Sequence, residues 1–374
     1  MSWQNELRKS IQTLEQLKRY VKFTRTEEKQ VKKVIERHPM RITRYYMSLI
    51  DQDDPFDPLR KMIVPSVEEL NLAGSYDPSN EKANTIMPGI QHKYPQTVLI
   101  LATNRCAGYC RYCFRKRLVG LGSQEILRRL SSALKYIEEH EEVNNVLISG
   151  GDPFMLPTRV IRGFLEELSS VRHLNFIRFG TRTPAMFPDR FLEDEELLAI
   201  LQKYSKKTRR IYVVTQFNHP REITDRATDA VSSLIKCGVV LNNQTVLLKG
   251  VNDDGDVLGK LQKKLVSIGV IPYYVFQCRP VKRVKHQFQV TLRRGYEVVE
   301  EAKAGLDGHS KRFRYVMSHL TGKIEVVGVG LGEIYLKYHQ AKDAANLGRL
   351  FTRKLGWKDG WLENLKRSPS QVRL

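Results

Sequence analysis

No stretch of this 374-residue chain stays apolar for the roughly 18 residues that a membrane-crossing helix needs. Its first residues, MSWQNELRKS, hold none of the apolar run of a secretory leader, so a cytoplasmic, non-membrane protein is expected. Cysteine is scarce, with Cys106, Cys110, Cys113, Cys237 and Cys278 making five in all. An odd count with three crowded close together does not read as a disulfide framework. A metal or cluster site in reducing surroundings fits it better. Acidic residues are outnumbered, 41 against 62 lysines and arginines, for a formal net charge of +21. That excess suits an anionic partner such as RNA or an acidic protein. It is spread along the chain, however, as a solvated basic surface would be, so nucleic acid stays an open partner and no more. No long low-complexity tract and no short repeat is present, which excludes solenoid and fibrous architectures.

What the chain does have is a repeated strand pattern. Short apolar runs suited to buried strands occur at Val98–Thr103, Asn145–Ser149, Phe176–Gly180, Ile211–Thr215, Val239–Leu248 and Tyr273–Gln277. Each is followed by a polar loop and then by helical spacing, at intervals the size of a βα unit. Continuous apolar strands alternating with helices predict a parallel sheet covered by helices, as a partial (β/α)6 barrel or an open sheet. In either, chemistry gathers at the C-terminal ends of the strands. The spacing of Leu7, Ile11, Leu14, Leu17, Val21, Val31, Val34 and Ile35 predicts a helical N-terminal extension, followed by a loop at Asp51–Pro58. Tyr296–Lys303 reads as a helix, and Arg314–Met317 with Lys323–Val327 as a hairpin. The tail from Lys337 to Leu374 reads as a basic helix with an aromatic end. Three regions are expected: residues 1–95, a barrel over 96–290, and a C-terminal extension over 291–374.

The sharpest motif is Cys106-x-x-x-Cys110-x-x-Cys113, directly after the first barrel strand. Protein [4Fe–4S] clusters usually take four thiolates, so three in one loop leave one iron open to an outside ligand. The spacing resembles the signature of radical S-adenosylmethionine (SAM) proteins, whose open iron binds SAM. A zinc knuckle is the plainer alternative, but zinc would want a fourth ligand at suitable spacing. Ser149-Gly150-Gly151-Asp152-Pro153 follows the second strand, where radical SAM proteins carry a glycine-rich SAM contact.

Longer matches narrow the resemblance. They include ITRYYMSLID (Ile42–Asp51), DPFDPLRK (Asp54–Lys61), PGIQHKYP (Pro88–Pro95) and CAGYCRYCFRKRLVG (Cys106–Gly120). Further on come LISGGDP (Leu147–Pro153), RFGTRTP (Arg178–Pro184), QFNHPREIT (Gln216–Thr224), NNQTVLLKGVND (Asn242–Asp253) and PYYVFQC (Pro272–Cys278). Together they identify the chain as similar to the lysine 2,3-aminomutase family. The resemblance implies a radical SAM barrel, a [4Fe–4S] cluster on the three cysteines and SAM contacts at Ser149, Gly150, Gly151, Asp152, Gln244 and His219. It also implies a flavodoxin- or ferredoxin-type electron donor and permits a homo-oligomer. Family members hold a substrate amino acid on pyridoxal phosphate (PLP) and move its amino group. Arg115 matches their substrate-carboxylate arginine, a role suited to the guanidinium fork.

Departures from the family pattern bear on the substrate. Where the aminomutases have a glycine run and the PLP lysine, Gly308–Tyr315 reads GHSKRFRY, with Lys311 the nearest candidate. An aspartate expected directly after Cys278 is Arg279, and two arginines expected around HKYPQT are Lys93 and Thr97. A lysine ammonium about 4 Å from Arg279 would be repelled by roughly 1–4 kcal/mol at effective dielectrics of about 80 to 20. An anionic, amino-acid-like substrate is therefore expected, and firmly bound PLP is not. Arg279, Lys282, Arg283 and Lys285 are expected as a positive group at the rim. Two alternatives stay open: a PLP-dependent lysine 2,3-aminomutase-type amino shift, and a basic RNA- or ribosome-binding protein with a structural cluster.

Overall fold

The computed structural model describes residues 3–368. Seven parallel strands form its centre: β3 (Thr97–Thr103), β4 (Asn145–Gly150), β5 (Phe176–Gly180), β6 (Arg210–Thr215), β7 (Val240–Leu247), β8 (Ile271–Gln277) and β9 (Arg314–His319). β3 to β8 are the six runs expected from sequence, and with their helices they make the partial (β/α)6 barrel. Crossover helices such as Thr158–Ser170, Asp225–Lys236 and Gly255–Ser267 turn their apolar stripes onto the strands. Alternate residues of these strands are buried against the helices, and Val98, Ile100, Val146, Ile148, Ile177, Phe179, Ile211 and Val213 share one core.

The sheet does not stop at the barrel. A hairpin of β1 (Thr85–Met87) and β2 (Ile90–Tyr94) pairs antiparallel with β3. At the other edge β9 turns into β10 (Gly322–Gly330), and a meander continues through β11 (Glu333–Ala341), β12 (Leu350–Lys354) and β13 (Lys366–Arg367). One sheet thus crosses both boundaries expected near 95 and 290. The hairpin expected around Thr321-Gly322 is present. The basic helix expected from Lys337 is not: Ile334, Leu336 and Tyr338 are buried at every second position, so this segment is strand. The end of that expectation, 369–374, lies outside the described residues.

The N-terminal extension is broken into helices at Trp3–Arg8, Leu14–Leu17 and Arg25–Arg37. Thr13 with Gln16, and Thr24 with Glu27, close capping boxes that start the second and third of these. Their apolar faces share a core with Ala107, Tyr112, Met186 and Phe288, so the extension packs across the strand-end rim of the barrel. Among the described residues no helix is long and apolar enough to cross a membrane.

Candidate active site

A cavity of about 360 Å³ opens at the C-terminal ends of the strands, and all three signature cysteines line it. Their loop is fixed from outside by the N-terminal extension. The Tyr109 amide donates to the Arg41 carbonyl at 2.9 Å, and the Arg111 amide to the Met62 carbonyl at 2.8 Å. Arg41 in turn donates to the Cys106 carbonyl at 3.3 Å. Beneath the loop, Glu69 receives Arg111 through two bonds of 2.7 Å and Lys116 at 2.6 Å, all three side chains buried. The two cations hold the Glu69 carboxyl down at about 2, although burial alone would raise it.

Burial pushes the Cys106 thiol well up and the Cys113 thiol to about 11. Left to themselves both would stay protonated, and it takes a bound cation to ionise them. Among the described residues no three His, Cys, Asp or Glu side chains converge on a single-ion position. The three thiols line one wall of the cavity.

Beside the loop lies the glycine turn after β4. Gly150 has φ +115°, and a Cβ there would sit 2.3 Å from the Thr103 carbonyl oxygen. At Gly151 it would meet the Arg105 carbonyl oxygen at 2.4 Å. Both positions therefore require glycine. Asp152 fixes the turn, accepting from the Thr181 hydroxyl at 2.8 Å, from the Arg182 amide at 2.8 Å and from the Phe154 amide at 3.1 Å. Ser149, Gly150, Gly151, Asp152 and Gln244 all line the cavity, together with Gln216. His219 does not: its Nδ1 accepts from the Arg221 amide at 3.2 Å and caps the turn Pro220–Glu222. Arg182, which sequence reasoning passed over, reaches the cluster loop and donates to Cys110 Sγ at 2.8 Å.

The far half of the cavity is cationic. Arg115 donates to Ser149 Oγ at 3.1 Å, to the Gly150 carbonyl at 3.2 Å and to Glu81 at 3.1 Å. Arg279 lies 4.0 Å from the Phe114 ring centroid and donates to Ser318 Oγ at 2.9 Å. Arg115 and Arg279 line the same cavity, with Glu81 as a shared counter-charge that sequence reasoning missed. Of the positive group after β8 only Arg279 lines the cavity. Lys282 lies by the Tyr76 ring, and Arg283 bonds the Tyr76 hydroxyl and the Glu69 carbonyl.

Deeper still are Lys93, Thr97, Arg178 and Lys323. Arg178 donates to Asn145 Oδ1 at 2.5 Å and to Thr97 Oγ1 at 3.4 Å, while its Nε is buried without a partner. Burial and the nearby charge of Arg279 pull Lys93 down to about 7. Burial and the charges of Arg178, Lys93 and Arg279 do the same to Lys323. Lys323 Nζ donates to Gln340 Oε1 at 2.7 Å.

Lys311 is exposed, in the loop before β9. Because β9 runs parallel to β8, that loop lies at the opposite end of the barrel from the cysteines. Among the described residues two lysines line the cavity: Lys93 on β2, and Lys323, which follows the β9–β10 turn at the rim.

A family model for the radical SAM superfamily matches residues 100–258. L-lysine 2,3-aminomutase of Clostridium subterminale is 38% identical over 83% of this chain and 73% of its own length. A chain of Aquifex aeolicus named provisionally for the same activity is 40% identical over 95% of both chains. Glutamate 2,3-aminomutase of Clostridioides difficile is 34% identical over 82% of this chain and 72% of its own.

Proposed function

The chain belongs to the lysine 2,3-aminomutase family of radical SAM enzymes, and from that premise we propose that it shifts the amino group of an α-amino acid whose side chain ends in an anion. The observation that carries this reading is Arg279, directed by Phe114 and Ser318 into the same cavity as the cysteine loop. A side-chain carboxylate could take two hydrogen bonds from its guanidinium, whereas an ammonium would be repelled. Arg115 serves the α-carboxylate. Glu81, Ser149 and the Gly150 carbonyl fix its orientation beforehand, so less side-chain freedom is lost when substrate binds. The relative named for glutamate indicates that side-chain charge varies within the family.

The donor set also fits PLP, which is therefore part of the proposal. Burial draws Lys323 down to about 7, so a substantial share of its amine is unprotonated at neutral pH, the form that attacks a carbonyl. Lys93, Thr97 and the unpartnered Nε of Arg178 would hold its phosphate. Bound there, PLP would supply a carbonyl to carry the substrate amine and a ring to delocalise an unpaired electron, while cluster and SAM would supply the abstracting radical. The glycine turn lets backbone approach SAM closely, and Asp152 holds that turn rigid. A low-potential flavodoxin or ferredoxin would provide the electron, and the reducing cytoplasm suits five free thiols.

The test is anaerobic reconstitution with iron, sulfide and PLP, followed by SAM cleavage in the presence of dicarboxylic and basic amino acids. Glutamate or aspartate should accelerate release of 5′-deoxyadenosine and yield a β-amino acid. Arg279→Ala should weaken that substrate by about 10- to 150-fold with cluster content unchanged. Acceleration by lysine and by no anionic compound overturns the reading.

A further inference from the structure

Arg182 is a buried arginine whose every nitrogen is committed, and one commitment is to a cluster ligand. It follows β5 in Thr181-Arg182-Thr183-Pro184 and is only 7% exposed. Its backbone amide is tied to Asp152 Oδ2 at 2.8 Å, so the carboxylate that holds the glycine turn also fixes where this side chain starts. Nε donates to the Gln216 carbonyl at 3.3 Å, and the Tyr46 and Tyr112 rings flank the guanidinium at 5.6 and 5.4 Å. One terminal nitrogen bonds Glu222 Oε1 and the Tyr46 hydroxyl, leaving the other to donate to Cys110 Sγ at 2.8 Å. Among the described residues no other side chain donates to any of the three signature sulfurs.

Glu222 holds its place independently of Arg182. The Tyr46 hydroxyl donates to it at 2.7 Å, and the backbone amides of Asn218 and His219 at 2.7 and 3.1 Å. The arrangement is a relay of charge from carboxylate to guanidinium to sulfur, shut away from solvent. A buried ion pair is weak evidence of stabilisation, because desolvation cancels much of the attraction. Its placement against a thiolate asks for another role.

We propose that Arg182 sets the reduction potential of the cluster, its charge and hydrogen bond on the Cys110 sulfur favouring the reduced state, and that Glu222 limits how far. The inference rests on the three-cysteine cluster but not on the identity of the substrate. A cluster that gains an electron gains negative charge, and a fixed cation at a ligand sulfur stabilises the more negative form. Arg182 forms and breaks no bond in the reaction. It is a positioning residue that acts through Cys110, and it governs how readily a one-electron donor fills the cluster. Glu222, placed behind it, partly cancels the cation and so pulls the potential the other way.

The opposed signs make the test selective. Wild-type chain, Arg182→Gln, Arg182→Lys and Glu222→Gln are reconstituted anaerobically without substrate. The EPR signal of the reduced cluster is then followed at a series of poised potentials with dithionite as electron source. Arg182→Gln should lower the ratio of reduced to oxidised cluster at fixed potential by about tenfold, which is 59 mV for a one-electron couple. Arg182→Lys, which keeps the charge but loses the fork, should fall between. Glu222→Gln should move the potential upward. Loss of packing alone would not shift the two classes of variant in opposite directions. Should Arg182→Gln fail to hold a cluster, the upward shift in Glu222→Gln still decides the matter. Potentials unchanged in both, or displaced the same way, overturn the inference while leaving the cluster reading intact. A wild-type chain that takes up no cluster overturns both.

Discussion

Replacing Glu69 by glutamine should loosen the cluster loop without touching a cysteine. The carboxylate is fully buried and takes three bonds of 2.6–2.7 Å from Arg111, between Cys110 and Cys113, and from Lys116 just beyond. Burial draws Lys116 down to about 8, still charged at neutral pH, so both cations depend on Glu69. Breaking such a group by removing one partner typically costs about 3–5 kcal/mol, because uncompensated charge stays buried. Set against the roughly 5–15 kcal/mol that holds a folded domain together, this is a large fraction. The pH dependence has a definite sign. The folded carboxyl titrates at about 2 against an ordinary 4.5, so its stabilisation is complete above 4.5 and is lost as pH falls through 2. Urea unfolding of the apo-protein at pH 7 should show Glu69→Gln destabilised by about that 3–5 kcal/mol. Its loss of stability in acid should be shallower than that of the wild type, and reconstituted iron content should fall. A variant within about 0.5 kcal/mol of wild type, the scatter of an ordinary surface substitution, and with full iron would refute the brace.

Alanine at Cys106, Cys110 or Cys113 should each abolish the brown chromophore and SAM cleavage together, whereas Cys237→Ala and Cys278→Ala should keep the chromophore. Loss of cluster in Cys278→Ala would count against a three-thiolate site, because Cys278 also lines the cavity. Uptake of PLP should rise with pH around a midpoint near 7, since Lys323 must shed its proton to react and is held at about 7. Borohydride trapping followed by peptide mapping should label Lys323, and label on Lys311 would sink the assignment.

The barrel was legible because its strands are rich in apolar residues and recur at βα spacing, Phe176–Gly180 being found to the residue although Arg178 interrupts it. The cysteine loop and glycine turn were legible because spacing within one loop is local information. The meander was not, because Lys337, His339 and Gln340 crowd β11 and mask the alternation of Ile334, Leu336 and Tyr338. Breaks in the N-terminal helix were written as Thr24-x-x-Glu27, a capping box overlooked beside the apolar spacing. Glu69, Glu81 and Glu222 could not be read at all. Their partners lie tens of residues away, and nothing in an isolated glutamate says that it will be buried. Lys311, the nearest candidate in the sequence, lies away from the cavity for a different reason: the loop before β9 is at the far end of the barrel, and the chain reaches the rim only after that strand.

The cavity draws its walls from distant stretches of one chain, and this has a consequence for assembly on the ribosome. The extension that clasps the cysteine loop is synthesised before it, so Arg41, Met62 and Glu69 have emerged when Cys106–Cys113 appears. Lys323 and Gln340 arrive only after the last barrel strand. A growing chain therefore carries its electron-handling parts long before the lysine wall that closes the chamber. Until the meander folds against the barrel, the cavity lacks the wall that Lys323 and Gln340 supply.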